Sequence, residues 1–518
     1  MAVDEEKPAG APDDFAVHQV SPNSPNLSST GSSELDDTYD IYKQSANEAP
    51  ADAAEIKRVL RKIDLRIVSI LFMIYLLQYL DKNGINYASV YGLQKATHLK
   101  GQQFAWLSTI FYLGYLVAQF PAGYAIQRLP IGKVLACTTL AWGVIVITTP
   151  ACTSFAGMAT NRFLLGFVES IVNPGFVMVM SVWYKAAEQP LRLEAYYYTN
   201  GIATMFGGLI GYAVGNITTG LPQWMYVFLI FGACICAAGV VALIFLPDMP
   251  STAKFLNARE RSIAVERVAG NRQGVKNSHF KVYQMWQTLY DPKTWILFVM
   301  AVGAQVPNSA LTSFASLIVK GFGFDTLGTQ YLQIPGGAVQ FLSLIGGGYI
   351  CSKFPNVRCI TMIVANLICI LGAALLVGLP DSMKWGRLVA LWLCYFQGLG
   401  FSISLTIVSS NVSGSTKKQL TSAILFTGYC IGNCIGPQTF RDSEAPRYPS
   451  AYIAMLVGYS VKLTAVIVLY VYMWTVNKKR DREATIEGES TEEIERLAID
   501  RGMHDVTELD NKGFRYVL

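Results

Sequence analysis

Charge is scarce in this chain. Of 518 residues only 15% are Asp, Glu, Lys or Arg, while 52% are hydrophobic; soluble proteins run near a quarter charged, so a soluble enzyme is argued against. A basic surplus is missing as well. The 41 basic and 36 acidic residues leave +5, most of it in the two ends and one central stretch, and no groove for nucleic acid is expected. Histidine is rare: His18, His98, His279 and His504 all fall outside the long apolar runs, and no nucleophile motif stands in a credible context, which speaks against catalysis. The ten cysteines show neither a repeated metal-ligand spacing nor a clustered disulfide framework. They read as small apolar residues, and no metal or cofactor is expected. A phosphate-binding loop is also lacking. The one Gly-Lys pair, Gly132-Lys133, has neither the upstream Gly nor a following Ser or Thr, so direct use of ATP is not expected.

Apolar runs are what the chain has instead. A bilayer core of about 30 Å takes about 20 residues of helix, and twelve runs of that size are expected at 67–88, 104–126, 131–150, 158–183, 197–217 and 224–247, then 294–319, 329–351, 358–379, 387–410, 420–440 and 451–475. Barrel strands would be about 10 residues long and alternating, so the expected class is an all-α membrane protein with two six-helix bundles. Residues 1–62 read as a disordered acidic tail, 63–249 and 294–477 as the bundles, 250–293 as a linker and 478–518 as a second acidic tail. Residues 1–50 hold ten acids against Lys7 and Lys43, too polar to offset the entropy of ordering. Asp4, Glu5, Glu6, Asp13 and Asp14 stand where a secretory signal would be apolar. A short amphipathic patch around Ile494, Leu497 and Ile499 is expected in the second tail.

Lys and Arg set the orientation. With the N-terminus in the cytoplasm, Lys57, Arg58, Arg61, Lys62, Arg66, Arg128, Lys133, Lys185, Arg192, Lys353, Arg358, Lys417, Lys418, Lys478, Lys479 and Arg480 all lie inside, as do the eight basic residues of the linker. Arg441 and Arg447, in the last outer loop, run against the trend. Within the linker, Phe255, Ile263, Val265 and Val268 have helical spacing, predicting a helix on the cytoplasmic membrane surface. Six spans, a long cytoplasmic loop and six more spans is the layout of a transporter made of two parallel halves with its site between them near the midplane.

Four charges fall at membrane depth. In RFLLGFVESIVNPGF, Arg162 and Glu169 are seven residues, or two helical turns, apart and share a face. Burying either alone costs about 2.5–3.5 kcal/mol on insertion scales, so both are functional candidates. Arg162 is expected to face an anionic substrate and Glu169 to take up and release a proton; a structural ion pair is the competing reading. In YLDKNGINYASVYGL, Lys82 is a second anion ligand and Asp81 its local partner, with a proton-coupling role, unless the helix ends early at Leu80. Asn308, Gln397 and Asn433 reach comparable depth and are candidate substrate ligands, or bond across helices for about 0.6 kcal/mol each. Gly207, Gly211 and Gly215, and Gly346 to Gly348, read as close helix packing.

The stretch GYAIQRLPIGKVLA resembles the Gly-x-x-x-Asp-Arg-x-Gly-Arg-Arg loop of the major facilitator superfamily, with Gly123, Arg128, Gly132 and Lys133 matching and Gln127 where the acid would stand. The resemblance implies a loop in which glycine permits close packing and the charges latch the halves on the cytoplasmic side. Further stretches resemble one branch, the fungal anion:cation symporters, and within it the allantoate permease group: LDKNGINYASVYGL, GYLVAQFPAGYAIQR, RFLLGFVESIVNPGF with Glu188 and Arg192, FLPDMPSTAKFLNARER, DPKTW, NVSGSTKK, GNCIGPQTF with APRYP, and FRYVL, over about residues 61–518. This resemblance implies proton-coupled uptake of small organic anions such as allantoate or ureidosuccinate across the plasma membrane, both termini cytoplasmic. Sialin and the vesicular glutamate transporters are more distant relatives with a similar Arg and Glu, which supports the roles of Arg162 and Glu169. Pro307-Asn308 is followed by Ser309-Ala310 where the group tends to have two glycines, a departure that bears on substrate choice. The expected partners are a small organic anion, protons and membrane lipid, in a monomer. Export of a fungal metabolite and nutrient sensing remain the alternatives.

Overall fold

A computed structural model of the chain describes residues 51–185, 188, 192, 196–269, 281–487 and 506–518. No strand occurs among them. Twelve long helices follow one another: α1 Ala53–Ser89, α2 Gln103–Arg128, α3 Ile131–Ala151, α4 Phe155–Trp183, α5 Thr199–Gly215 and α6 Gln223–Phe245, then α7 Pro292–Gly321, α8 Thr326–Lys353, α9 Arg358–Gly378, α10 Lys384–Asn411, α11 Ser415–Gln438 and α12 Pro449–Glu487. Nine of them, all but α2, α5 and α11, are long and apolar enough to cross a membrane by length and composition. The remaining three occupy the other expected spans.

Because the helices alternate in direction, the start of α1 and the end of α12 share one face, called here the terminal face. Within the first half α3 packs on α6 and α2 on α4, and within the second α7 packs on α11 and α12. The halves meet where α2 lies against α11 and α5 against α8. Glycine makes the second contact possible: a Cβ on Gly201 would stand 2.7 Å from the Gly337 carbonyl oxygen, and one on Gly337 would stand 2.8 Å from that of Gly201. Gly207 and Gly211 likewise lie against Tyr87 and Gln330, so the expected glycine packing of α5 is present; in α8 a Cβ on Gly347 would stand 2.2 Å from Leu399, while one on Gly346 would meet nothing within 4 Å.

Four helices are interrupted at the level of the cavity, and they hold corresponding places in the two halves; a further turn stands at Leu332 of α8, between Thr326–Tyr331 and Gln333–Lys353. The helical path of α1 tightens at Asn83, between Ser69–Lys82 and Gly84–Ser89; it does not end at Leu80. In α4, Phe155–Glu169 gives way to Val172–Trp183, because Pro174 lacks the N–H that Ser170 would accept and its ring crowds that carbonyl. α7 carries Pro307 and then a π turn at Ala310–Phe314. α10 passes through a 3₁₀ turn at Cys394–Phe396. Each of the four cavity-level interruptions lies within three residues of a side chain singled out from the sequence: Asp81 and Lys82, Glu169, Asn308, Gln397.

The tails and linker depart from expectation. Helix begins at Ala53, inside the stretch expected to be disordered, and residues 1–50 lie outside the described residues. α12 runs on to Glu487, and Val506–Leu518 is packed against the terminal face instead of being a free acidic tail; the patch at Ile494, Leu497 and Ile499 lies outside the described residues. The linker helix Ala258–Ala269 exists, but its apolar residues Ile263 and Ala264 are 1% and 2% exposed in the protein core. Ion pairs Arg267–Glu188, Lys62–Glu260 and Arg259–Glu55 hold it on the first half, so this face is spent on protein and not on lipid. The basic residues of the last far-face loop also find partners: Arg447 and Arg387 both pair with Asp381, and Arg441 approaches Glu444.

Candidate functional site

Between the halves lies a cavity of about 740 Å³ including its open mouth. Its wall is mostly amide and phenol: Gln78, Asn173, Asn200, Gln305, Asn308, Gln340 and Gln397 with Tyr75, Tyr79, Tyr197 and Tyr429, and Lys82 is its one charged side chain. On the far side a seal closes it. Asn86 donates to Gln333 and accepts from the Ser316 N–H, Gln330 donates to the Tyr87 carbonyl, and Gln438 donates to Thr109. Gln102 adds bonds to Gln438 and Asp442. Among the described residues, the hydrogen bonds between the halves belong to this seal or to the cavity level, where Lys82 meets Tyr429 and Gln340 meets Tyr79 and Thr204. None joins the halves on the terminal side of the cavity.

A smaller cavity, about 310 Å³, lies at the level of the seal and is lined by Lys82, Ile85, Leu107, Ser108, Phe111, Tyr112, Arg162 and Ser313. Lys82 borders both cavities. Its ammonium donates to Tyr429 Oη at 2.5 Å and stands 5.2 and 5.1 Å from the Tyr112 and Tyr429 ring centroids, contacts that favour a cation in an apolar setting. Arg162 is 4% exposed; its Nε and Nη2 have no hydrogen-bond partner, nor has the buried Ser108 hydroxyl. The Phe228 ring centroid lies 5.3 Å from the guanidinium carbon. No carboxylate lines this pocket. Two cations and three hydroxyl-bearing residues around a small space make a site that suits a carboxylate, because a guanidinium presents paired donors to it.

Glu169 and Asp81 line neither cavity. Both are fully buried. Asp81 Oδ2 accepts from Trp142 Nε1 at 2.9 Å while Oδ1 has no partner, and neither oxygen of Glu169 has a hydrogen bond of normal geometry. Among the described residues none of Asp81, Lys82, Arg162 and Glu169 forms an ion pair within 4.0 Å, so the structural pair of Arg162 with Glu169 is not formed. The pairing also differs from the sequence reading. Asp81 is bonded to Trp142 and the Lys82 ammonium to Tyr429, so Asp81 is not the local partner of Lys82, neighbours on a helix pointing about 100° apart. α2 and α4 approach closely enough to bury these groups because a Cβ on Gly166 would stand 1.9 Å from the Phe111 carbonyl oxygen.

The second half contributes a carboxamide chain. Tyr459 Oη lies 3.5 Å from Gln397 Oε1, Gln397 donates to Asn308 at 2.9 Å, Asn308 to Asn433 at 3.0 Å and Asn433 to Gln305 at 3.0 Å. Asn308 and Gln397 line the main cavity as expected. Asn433 does not: it is fully buried behind them, its second N–H taken by the Tyr429 carbonyl, and it bridges Asn308 and Gln305. Gln305 was missed from the sequence, although it lies three residues from Asn308, one helical turn away.

The expected gating loop sits at the terminal face of the first half. Gly123 has no neighbour within 4 Å, so no close packing depends on it. Arg128 is exposed over the Tyr124 ring. Gly132 is buried near Asp248, whose Oδ1 accepts from the Lys133 N–H at 3.1 Å. The acid absent at Gln127 thus has a substitute after α6, in FLPD, and the bond stays within one half.

A family model described as Major Facilitator Superfamily matches residues 71–437. An uncharacterized transporter of Schizosaccharomyces pombe is 37% identical over 470 residues, 89% of this chain and 89% of its own length. The allantoate permease of Saccharomyces cerevisiae is 30% identical over 490 residues, 92% of this chain and 89% of its own. Among solved structures, the proton:xylose symporter XylE bound to 6-bromo-6-deoxy-D-glucose matches with TM-score 0.61 at 11% identity, covering 80% of this chain and 96% of that one.

Proposed function

Since the chain belongs to the major facilitator superfamily and is a multi-pass membrane transporter, not an enzyme, we propose that it imports small organic anions together with protons by alternating access. One observation carries this reading: two cations with free donors border cavities between the halves, and two fully buried carboxyls that line neither stand behind them. Arg162 and Lys82 attract the anionic group, Arg162 through paired N–H donors. Asn308, Gln397 and Gln305 satisfy the neutral polar groups of the same molecule. Glu169 carries the proton. When protonated it releases Lys82 to the substrate; when deprotonated toward the cytoplasm it reclaims Lys82 and the anion leaves. Asp81 holds Arg162 in place through both states. The sequence reading had Glu169 releasing Arg162 directly; the revised order has it release Lys82, the cation that borders both cavities.

The terminal face is then cytoplasmic, as the distribution of Lys and Arg supports, and the two bundles 63–249 and 294–477 rock as bodies about the site. A monomer in the plasma membrane suffices. The similarity to the yeast allantoate permease makes allantoate and similar carboxylates the first candidates. The test is uptake of labelled allantoate at acidic and neutral external pH in cells lacking their own permease, with unlabelled carboxylates as competitors. Uptake that rises with acidity and collapses with a protonophore is the expected result. Absence of uptake and of competition, with the protein at the surface, would remove these substrates from the proposal.

A further inference from the structure

The segment after α12 places a fully buried carboxylate beneath the second half. Glu508 is 0% exposed; its Oε1 accepts from Lys293 Nζ at 2.6 Å and Lys417 Nζ at 2.5 Å, and its Oε2 from the Ser413 N–H at 2.8 Å. Asp291 completes the cluster, 2.8 Å from the Lys417 ammonium. Asp291, Lys293 and Lys417 come from α7, its N-cap and α11, so without Glu508 two fully buried lysines share one carboxylate.

Side chains of the second half also grip the segment's backbone. Asn411 donates to the Val517 carbonyl and accepts from its N–H, at 2.8 and 2.7 Å; Asn477 does the same to Tyr516, at 2.8 Å twice. Each amide completes a two-bond pairing of the kind strands make. Arg480 donates to the carbonyls of Phe514 and Glu508, Thr507 to Gln287, and the Arg358 N–H to the Leu518 carbonyl. One short segment thereby ties together α7, α10, α11, α12 and the start of α9.

The first half has a counterpart. Asp64 near the start of α1 pairs with Arg192 in the loop after α4, and Glu188 of that loop pairs with Arg267 of the linker helix. In both halves an acid at the entry of the first helix meets a base at the fourth-to-fifth connection, and the chain following the sixth helix returns to supply one more charge. The difference lies in the hold. The first-half brace packs Ile263 and Ala264 into the core; Val506–Leu518 packs Tyr516, Phe514 and Leu518 against the second-half core and adds a fully buried carboxylate between two lysines.

We propose that Val506–Leu518 is a releasable brace: seated, it makes the second half move as one body and sustains turnover; unseated by loss of the Glu508 charge, it slows turnover without changing substrate affinity. Its seat is an intramolecular docking site on the terminal face for the Glu508 carboxylate and the backbone that follows it. The first test needs no substrate. In the full-length protein, Thr507 is fully buried, so Thr507→Cys is expected to react slowly with a maleimide, and Glu508→Gln to accelerate that reaction about a hundredfold. Equal rates overturn the proposal. In uptake assays Glu508→Gln is expected to lower maximal rate at unchanged KM; faster labelling with unchanged rate also overturns it, the segment then being a passive cover. Should Glu508→Gln fail to reach the membrane, Asn477→Ala removes one backbone clamp and leaves the charges intact. It is expected to accelerate labelling by a smaller factor, and no acceleration overturns the proposal.

Discussion

The two halves share their interruptions but not their chemistry. α1 and α4 break beside Asp81, Lys82 and Glu169, while α7 and α10 break beside Asn308 and Gln397, so equivalent backbone positions present charge on one side of the cavity and carboxamides on the other. At membrane depth the second half has one buried cation, Lys462, 1% exposed with no partner for its ammonium. Under the proposed mechanism the division separates energy coupling from shape recognition: the charges that change state are gathered in one body, and the opposite body offers neutral donors and acceptors that need not titrate.

The largest expected effect breaks the charged side. Glu169→Gln should abolish accumulation against a gradient in proteoliposomes while leaving exchange of internal for external substrate; a mutant that still accumulates sinks the coupling role. Arg162→Lys comes next, since an ammonium keeps the charge but loses the paired donors, and KM should rise about tenfold or more. Unchanged KM would assign Arg162 to structure. On the neutral side, Asn433→Ala leaves Asn308 and Gln305 each short of a partner. It should cost about 1–3 kcal/mol in thermal unfolding of the purified protein and raise KM much less than Arg162→Lys does; the reverse ranking would return Asn433 to the ligands.

Lys462→Met sharpens the contrast from the other direction. Removing a buried amine that has no partner should leave uptake unaltered and raise stability by about 1–2 kcal/mol, and a loss of transport would show that the second half carries a functional charge after all. The smallest effect concerns Asp291. Burial pushes its carboxyl up, but Lys293 and Lys417 together outweigh that and hold it below the usual carboxylate range. A depressed folded-state value gives stability that is present above the ordinary value and lost as pH falls through the depressed one. Acid unfolding of the parent should therefore steepen below about pH 4, and Asp291→Asn should flatten that limb; superimposable curves would deny the charge a role.

Much of this was legible in residue order. Apolar run lengths located the helices, and the seven-residue spacing of Arg162 and Glu169 placed both in the buried interior. Pro174 already marked the break beside Glu169. Partner choice was not legible, because it depends on which neighbouring helix faces each side chain: Trp142 reaches Asp81 across 61 residues and Tyr429 reaches Lys82 across 347. The same limit hid the role of Asn433, whose depth matched that of Asn308 but whose direction did not. The linker helix was found by its periodicity, yet periodicity marks an apolar face without naming what covers it. An acidic composition likewise concealed the folded stretch around Glu508, since burial there rests on two lysines remote in sequence.

That remoteness has a consequence for how the molecule is made. Glu508 follows Lys293 by 215 residues and Lys417 by 91. At roughly 5–20 residues per second, synthesis leaves Lys293 waiting about 10–40 s for its carboxylate. α7 and α11 must therefore enter the bilayer with their terminal ends unfinished. A chain interrupted before residue 508 leaves the Lys293 and Lys417 ammonium groups sharing the Asp291 carboxylate, one positive charge uncompensated at that spot.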